Sequence, residues 1–154
     1  GGPESLVVDG KRGRAYTHAA GGKTIALDFR THSVVGEWTH GCSEAKGVAL
    51  DEERGFLFVA CEEGAIVAID GHGQERGIDI IAYSPTLGHL YVPSSETAKL
   101  AILGVSRTGD LSVLGTFPGT KDSHCVTADG KVFFADPAHG RLRILKDPFP
   151  ASTH

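Results

Sequence analysis

The sequence of 154 residues contains no methionine, no asparagine and a single tryptophan. Without asparagine there is no N-glycosylation acceptor. Without methionine the chain has no initiator, so we expect a processed product or a fragment. Its three cysteines, Cys42, Cys61 and Cys125, are too few for a disulfide scaffold and lack the close paired spacing of a structural zinc site.

Charge and hydropathy exclude two further classes of protein. The net charge of −4 provides no basic field to attract a phosphate backbone, so nucleic acid is not an expected partner. No apolar run approaches the roughly 18 residues of a spanning helix, so we expect no membrane insertion. No charged segment followed by an apolar one opens the chain, so the sequence shows no signal peptide.

Glycine is abundant, with 21 residues, and much of it belongs to a repeated phrase. An apolar strand ends in Asp or Ser, a turn carries glycine, and an aromatic residue follows three positions later. The four copies are SLVVDGKRGRAY (5–16), GVALDEERGFLF (47–58), IIAYSPTLGHLY (80–91) and CVTADGKVFF (125–134). The aromatic residues are Tyr16, Phe58, Tyr91 and Phe133.

The repeat predicts four antiparallel sheets along the chain. The residue that ends each first strand recurs after 42, 33 and 45 residues, which places the units at about 3–44, 45–77, 78–122 and 123–148. Alternating patterns predict third strands at 24–29, 65–70, 99–105 and 141–146, and outer strands at 34–39 and 111–117. Units two and four are therefore expected to lack an outer strand.

The phrase AKGVALDEERGFLFVA and its related copies resemble the YVTN and NHL-type repeats of β-propellers, over nearly the whole chain. This resemblance implies an all-β propeller with four antiparallel blades of three to four strands. Such families close with six to eight blades, so the chain is expected to be half of a larger ring or one partner of an assembled one. A self-closed ring of four blades is the alternative. The resemblance is greatest to bacterial members that are periplasmic or secreted.

Within a propeller, the first strand of each blade lines the central channel. The residues five positions before Asp9, Asp51, Ser84 and Asp129 are all ionisable; they are Glu4, Lys46, Asp79 and His124. Aligned positions converge on the axis, so these four predict a polar ligand face. The alternative is that a wet channel mouth simply accepts charged side chains.

The same four residues leave two kinds of ligand open. Glu4, Asp79 and His124 offer oxygen and nitrogen ligands for a divalent cation, whereas Lys46 disfavours a cation and would pair with an anionic small molecule. Lactonase-like propeller hydrolases hold an axial metal with acidic residues and asparagine, and this chain has no asparagine. Streptogramin-lyase-like relatives use histidines near this face, and His124 is a single match.

Cys42 and Cys61 are expected at the same end of a hairpin, where either a disulfide or two buried thiols is compatible with the sequence. Cys125 is expected to be packed within a strand. The remaining histidines are expected mostly in surface turns; they are His18, His32, His40, His72, His89, His139 and His154.

Two functional hypotheses follow. The leading one is a noncatalytic module that binds a small molecule or a protein at the channel mouth. The alternative is a metal-assisted hydrolase or lyase that uses Glu4, Asp79 and His124. Since incomplete blades leave unpaired edges, association with a second copy or a missing half-ring is expected.

Overall fold

The computed structural model describes residues 5–69, 71–74, 80–123 and 125–152, and these form an all-β fold of four antiparallel sheets. The sheets follow one another along the chain. The first strand of each sheet contacts the first strand of the next, so the sheets are arranged as blades around one side of a common axis. The repeat of the sequence is therefore a structural repeat, as predicted.

Each blade is built from strands that are neighbours in sequence. Blade 1 contains β1 (Leu6–Asp9), β2 (Arg14–Ala19), β3 (Lys23–Asp28) and β4 (Ser33–Thr39). Blade 2 contains β5 (Ala45–Asp51), β6 (Phe56–Cys61), β7 (Ala65–Ile69) and β8 (Gly71–Gln74). Blade 3 contains β9 (Ala82–Ser84), β10 (His89–Ser94), β11 (Lys99–Val105) and β12 (Leu111–Pro118). Blade 4 contains β13 (Val126–Ala128), β14 (Val132–Asp136) and β15 (Arg141–Leu145).

The prediction that blade 2 lacks an outer strand was wrong. The glycine-rich stretch Gly71–Gln74 pairs with β7, with Ile66 opposite Gly73. Sheet pairing uses backbone groups, so a short segment with low β-propensity adopts it when a neighbouring strand offers a ladder. Blade 4 does end after three strands within the described residues, as expected.

The turn between the first two strands is built in the same way in three blades. In each, the side chain that ends the first strand accepts a hydrogen bond from the peptide N–H three residues later: Asp9 from Arg12 at 2.9 Å, Asp51 from Arg54 at 3.1 Å and Ser84 from Leu87 at 3.4 Å. The glycine that follows has positive φ, for example 64° at Gly13 and 83° at Gly55, a backbone conformation that L side chains rarely adopt. This local chemistry is what the repeated phrase encodes.

The repeat aromatic residues pack blade against blade. Tyr16 of blade 1 joins a cluster with Val48 and Leu57 of blade 2. Phe58 of blade 2 lies in one cluster with Leu90 of blade 3, and Tyr91 of blade 3 lies with Phe134 of blade 4. The core is therefore a series of three apolar seams, each closed by the aromatic residue of the preceding repeat.

The chain after β15 turns back onto blade 3. The Ser152 N–H donates to the Leu87 carbonyl at 2.8 Å, and the Phe149 ring lies 6.1 Å from the Phe117 ring, centroid to centroid. This segment packs on the face of blade 3 that blade 4 also contacts. It therefore occupies space where an outer strand of blade 4 would pack.

Asp147 anchors this segment in a buried polar cluster. Its Oδ2 atom is 2.8 Å from both His89 Nδ1 and Tyr91 Oη, and its Oδ1 atom accepts the Phe149 N–H at 2.9 Å. Burial, and then the hydrogen bond to Asp147, raise the pKa of Tyr91. His89, expected in a surface turn, is instead a fully buried residue of β10.

A second polar cluster crosses the seam between blades 2 and 3. Arg54 donates to the Asp51 carboxylate and to the Tyr83 hydroxyl, and its Nη1 atom donates to the Ser106 carbonyl at 3.0 Å. Tyr83 in turn donates to Asp51 Oδ2 at 2.9 Å. Burial alone raises the pKa of Asp51, but the hydrogen bonds from Arg54 and Tyr83 outweigh it and lower the pKa below its usual value.

None of the helical structure in the described part of the chain is long and apolar enough to cross a membrane.

We predict that Asp51→Asn lowers the free energy of unfolding by about 2 kcal/mol at pH 7, because a buried carboxylate loses charge-assisted hydrogen bonds. The folded-state pKa of Asp51 is depressed, so its stabilisation is present above its unfolded pKa of about 4 and is lost as pH falls through the folded value. Urea unfolding of both proteins as a function of pH measures this. The aligned but exposed Asp129 gives the control, since Asp129→Asn should have little effect. A difference between Asp51→Asn and the parent that persists unchanged at low pH would contradict the prediction.

Candidate functional site

Of the four residues predicted at the channel mouth, Glu4, Asp79 and His124 lie outside the described residues. Their convergence on the axis therefore stays a prediction, as does their ability to hold a metal. Lys46 is described, in the first strand of blade 2. Its Nζ atom lies 3.0 Å from a Glu44 carboxylate oxygen and 3.8 Å from one of Glu62.

A cavity of about 330 Å³ runs beside the first strands of blades 1 to 3. Val8, Leu50 and Ile81 are among the residues that line it, although more of its exposed surface is polar than apolar. Glu52 is the acidic residue among the described lining residues, and its carboxylate already accepts the N–H groups of Gly10 and Lys11.

The outer face of blade 1 presents apolar side chains with no blade beside them. Leu6 and Val8 are 57% and 56% exposed. At the same distances before the turn, the later blades carry Val48 and Leu50, Ile81 and Tyr83, and Val126 and Ala128, all packed in the seams. This exposed face of blade 1 is therefore equivalent to the face by which each later blade packs against the blade before it.

The opposite face of blade 4 is likewise uncovered. Leu142 and Ile144 are 69% and 62% exposed, and they pair with Ala135 and Phe133 across the sheet. Phe133 is the repeat aromatic of blade 4, and it is only half-buried, whereas Tyr16, Phe58 and Tyr91 are buried in seams. This exposed face of blade 4 is therefore equivalent to the face by which each earlier blade packs against the blade after it. We call these two surfaces the open faces of blades 1 and 4.

Cys42 and Cys61 are joined by a disulfide, with their Cα atoms 5.4 Å apart. Cys61 ends β6 and is fully buried, whereas Cys42 lies in the loop before β5. That loop is fixed by Glu63, whose carboxylate accepts the N–H and the hydroxyl of Ser43 at 2.6 and 2.7 Å. Cys125 is exposed rather than packed, so its expected placement in a strand interior was wrong.

Two histidines adjoin this disulfide. His18 is a buried residue of β2, not a surface turn residue as expected, and its Nδ1 atom lies 3.2 Å from Thr24 Oγ1. Its ring packs edge-on against His40, with the centroids 6.3 Å apart. Burial is the largest influence on both imidazoles and lowers the pKa of each.

Sequence reasoning missed both the open faces and the histidine pair. The signal for the open faces was present, because Phe133 and Leu6 obey the same repeat as the buried residues that they match. No sequence spacing brings His18 near His40, since their approach depends on β2, β3 and β4 lying side by side.

No family model matches the chain, and no curated protein matches it. Solved structures match its fold. The β-propeller domain of Myceliophteria thermophila Cps50 (Swd1) has a TM-score of 0.77 at 13% identity, over 94% of this chain and 54% of that chain. U3-55K gives 0.67 at 14% identity, over 92% and 51%, and Kuenenia stuttgartiensis hydrazine synthase gives 0.61 at 16%, over 94% and 49%. The chain has a β-propeller fold and spans about half the length of these structures.

We predict that reducing the Cys42–Cys61 disulfide, with a chelator present, lowers the free energy of unfolding by about 3 kcal/mol, because the bond closes a loop of 19 residues. Urea unfolding with and without a phosphine reductant, in a Cys125→Ser background, measures the change. Reduction of the Cys42→Ser, Cys61→Ser double variant should change nothing. Equal stability of the oxidised and reduced proteins would contradict the prediction.

Proposed function

We propose that this chain is a noncatalytic interaction module that binds other propeller blades through its open faces, and that its partner is a second copy of itself. The observation that carries the proposal is the equivalence between exposed residues of the end blades and buried residues of the seams. Phe133 corresponds to Tyr16, Phe58 and Tyr91. Leu6 corresponds to residues that the three other blades bury, and Val8 corresponds to residues that are half-buried there.

The two open faces complement each other. In each of the three seams, one blade contributes the face with its repeat aromatic residue. The next blade contributes the face with the apolar residues of its first strand. Blade 4 presents the first kind of face and blade 1 presents the second. Each is apolar at its centre, and burial of such a side chain is worth about 2 kcal/mol. Contact between blade 4 of one copy and blade 1 of another therefore repeats a seam that the chain already forms three times.

The span of the four blades supports the proposal of two copies. Four blades cover about half the length of the propeller structures that the fold matches, for example 54% and 51%. Two copies joined head to tail supply two such halves and cover both open faces of each chain. A second copy is therefore the occupant that satisfies both faces with residues already present.

We also propose that Glu4, Lys46, Asp79 and His124 form a polar ligand face in this ring. In this proposal a completed ring surrounds a central channel, and Lys46, which is paired with Glu44 and Glu62, lies near the mouth of that channel. A small molecule bound there would be a ligand of the assembled ring.

We predict that light scattering with size-exclusion chromatography gives a mass twice 16.2 kDa for the parent chain. Val8→Glu in blade 1 and Ile144→Glu in blade 4 should each give the monomer, because a charge enters an apolar contact. Val113→Glu is the matched control, since Val113 is 55% exposed on blade 3, outside both open faces, and the variant should stay dimeric.

Mixing the two disrupted variants tests the head-to-tail direction. Blade 4 of the Val8→Glu chain and blade 1 of the Ile144→Glu chain are both intact, so the mixture should recover a dimer through one contact. A monomer of the parent chain at all concentrations, or a dimer that neither substitution disturbs, would overturn the proposal. Failure of the mixture to associate, at concentrations at which the parent chain is dimeric and well above them, would overturn the head-to-tail arrangement.

A further inference from the structure

The seam between blades 1 and 2 contains a compact group of soft metal-binding side chains. The Sγ atoms of Cys42 and Cys61 and a ring nitrogen of His40 all lie within 4.8 Å of one another. Cys42 and Cys61 are buried, and His40 is half-buried. We propose that reduction of the disulfide converts this group into a binding site for a divalent zinc-class cation, with His40, Cys42, Cys61 and His18 as ligands.

The donor set favours such an ion. Two thiolates and two imidazoles form one of the common tetrahedral zinc sites, whereas hard cations such as magnesium and calcium prefer oxygen ligands. The donor atoms of His40, Cys42 and Cys61 lie within 4.8 Å of one another, somewhat wider than the separations of about 3.3 to 3.8 Å that metal–ligand bonds of about 2.0 to 2.3 Å give around a tetrahedral ion. Reduction therefore needs only a small rearrangement to bring both sulfur atoms onto one ion.

Buried imidazole nitrogen atoms are an independent observation that points to a ligand. The Nε2 atoms of His18 and His40 are both buried, and neither meets hydrogen-bonding geometry with another group. An unsatisfied buried polar atom of this kind has a cost of about 1 to 3 kcal/mol. The peptide oxygens of Gly47 and Lys23 lie close enough to favour protons on His18 and His40, respectively, although burial dominates in both rings.

The hydrogen bonds around the rings indicate which nitrogen atoms carry lone pairs. His40 Nδ1 accepts the Cys42 N–H at 3.3 Å, so Nδ1 carries the lone pair of the neutral ring, and binding a cation would exchange this hydrogen bond for a metal–nitrogen bond. The contact between His18 Nδ1 and the Thr24 hydroxyl fits either tautomer, and when Nδ1 is the donor the buried Nε2 atom carries the lone pair. The ring of His18 lies beside that of His40, with the centroids 6.3 Å apart, but outside the group whose donor atoms lie within 4.8 Å of one another, so His18 must move toward the sulfur atoms to supply a fourth ligand.

The surrounding structure holds these groups in place. The turn at Gly22 has positive φ, at 67°, and a Cβ atom there would collide with the Cys42 carbonyl oxygen. The backbone N–H of His40 also donates to the Gly22 carbonyl at 3.2 Å. Together with the Ser43 and Glu63 contacts, this turn fixes the loop whether the sulfur atoms are bonded or free.

The redox step is balanced with a phosphine as reductant. The disulfide accepts two electrons and becomes two thiols, while the phosphine becomes its oxide with oxygen from one water molecule, whose two protons go to the sulfur atoms. Binding of the cation to both thiolates then releases those two protons. The oxidised chain has no thiolate to offer, so occupancy of the site depends on the redox state of the protein.

Cobalt(II) is the probe, because tetrahedral thiolate ligation gives it charge-transfer and strong visible bands. The full chain with Cys125→Ser removes the one exposed thiol. After reduction and removal of the phosphine, we expect one cobalt ion per chain, displaced by zinc, and no bands from the oxidised protein. His40→Ala and His18→Ala should each weaken binding by at least about tenfold, and Cys61→Ser should abolish the charge-transfer band. His139→Ala, which removes an exposed histidine of blade 4, should bind as the parent does.

A second measurement needs no ligand substitution. Zinc should slow alkylation of Cys42 and Cys61 in the reduced protein at least tenfold, as followed by mass spectrometry, while Cys125 of the parent chain reacts at an unchanged rate. The absence of both the cobalt bands and this protection would overturn the site. Full binding by His18→Ala would overturn the assignment of His18, and full binding by His40→Ala would overturn the site as a histidine–cysteine centre. The site does not depend on the proposed pairing of two copies, since all four ligands belong to one chain.

Discussion

Apolar packing of one blade on the next is the constraint on which the rest of this structure depends. A single blade is a small sheet with two faces to bury, and three or four strands alone cannot form a core. Tyr16, Phe58 and Tyr91 solve this problem in succession, each on the blade that follows. The polar clusters around Asp51 and Asp147 lie along these seams, where burial makes each carboxylate depend on its hydrogen-bond partners.

The blades were predictable because their information is local and repeated. Turn glycines, the strand-ending Asp or Ser and the aromatic residue all act within about a dozen positions, so four copies identify one another. The exceptions also have physical causes. β8 was missed because the sequence Gly71–Gln74 has no alternating apolar pattern, whereas its pairing with β7 uses backbone groups. The burial of His89 was missed because its partner, Asp147, comes from a segment 58 residues later that packs on blade 3.

The candidate sites were harder to predict than the fold, for the same reason. Alignment of the repeats selects Glu4, Lys46, Asp79 and His124 as equivalent positions, but equivalence does not fix contacts, and Lys46 is paired with two glutamates of its own blade. The group of His18, His40, Cys42 and Cys61 belongs to no single repeat. It forms where the turn at Gly22 meets the loop before β5, and only the packing of blade 1 on blade 2 brings those segments together.

The seams also have a direction, which is set by the order of the blades along the chain. Each aromatic face looks toward the C-terminus of the chain and each receiving face toward the N-terminus, so the arc has a polarity as definite as that of a strand. Contacts of this kind have no symmetry axis of their own. In a row of blades joined by such contacts, the angle between successive blades decides whether the row closes into a ring or continues as a spiral. The residues that set this angle are the seam residues themselves, so core mutations in this chain act on the curvature of its row of blades as well as on its stability.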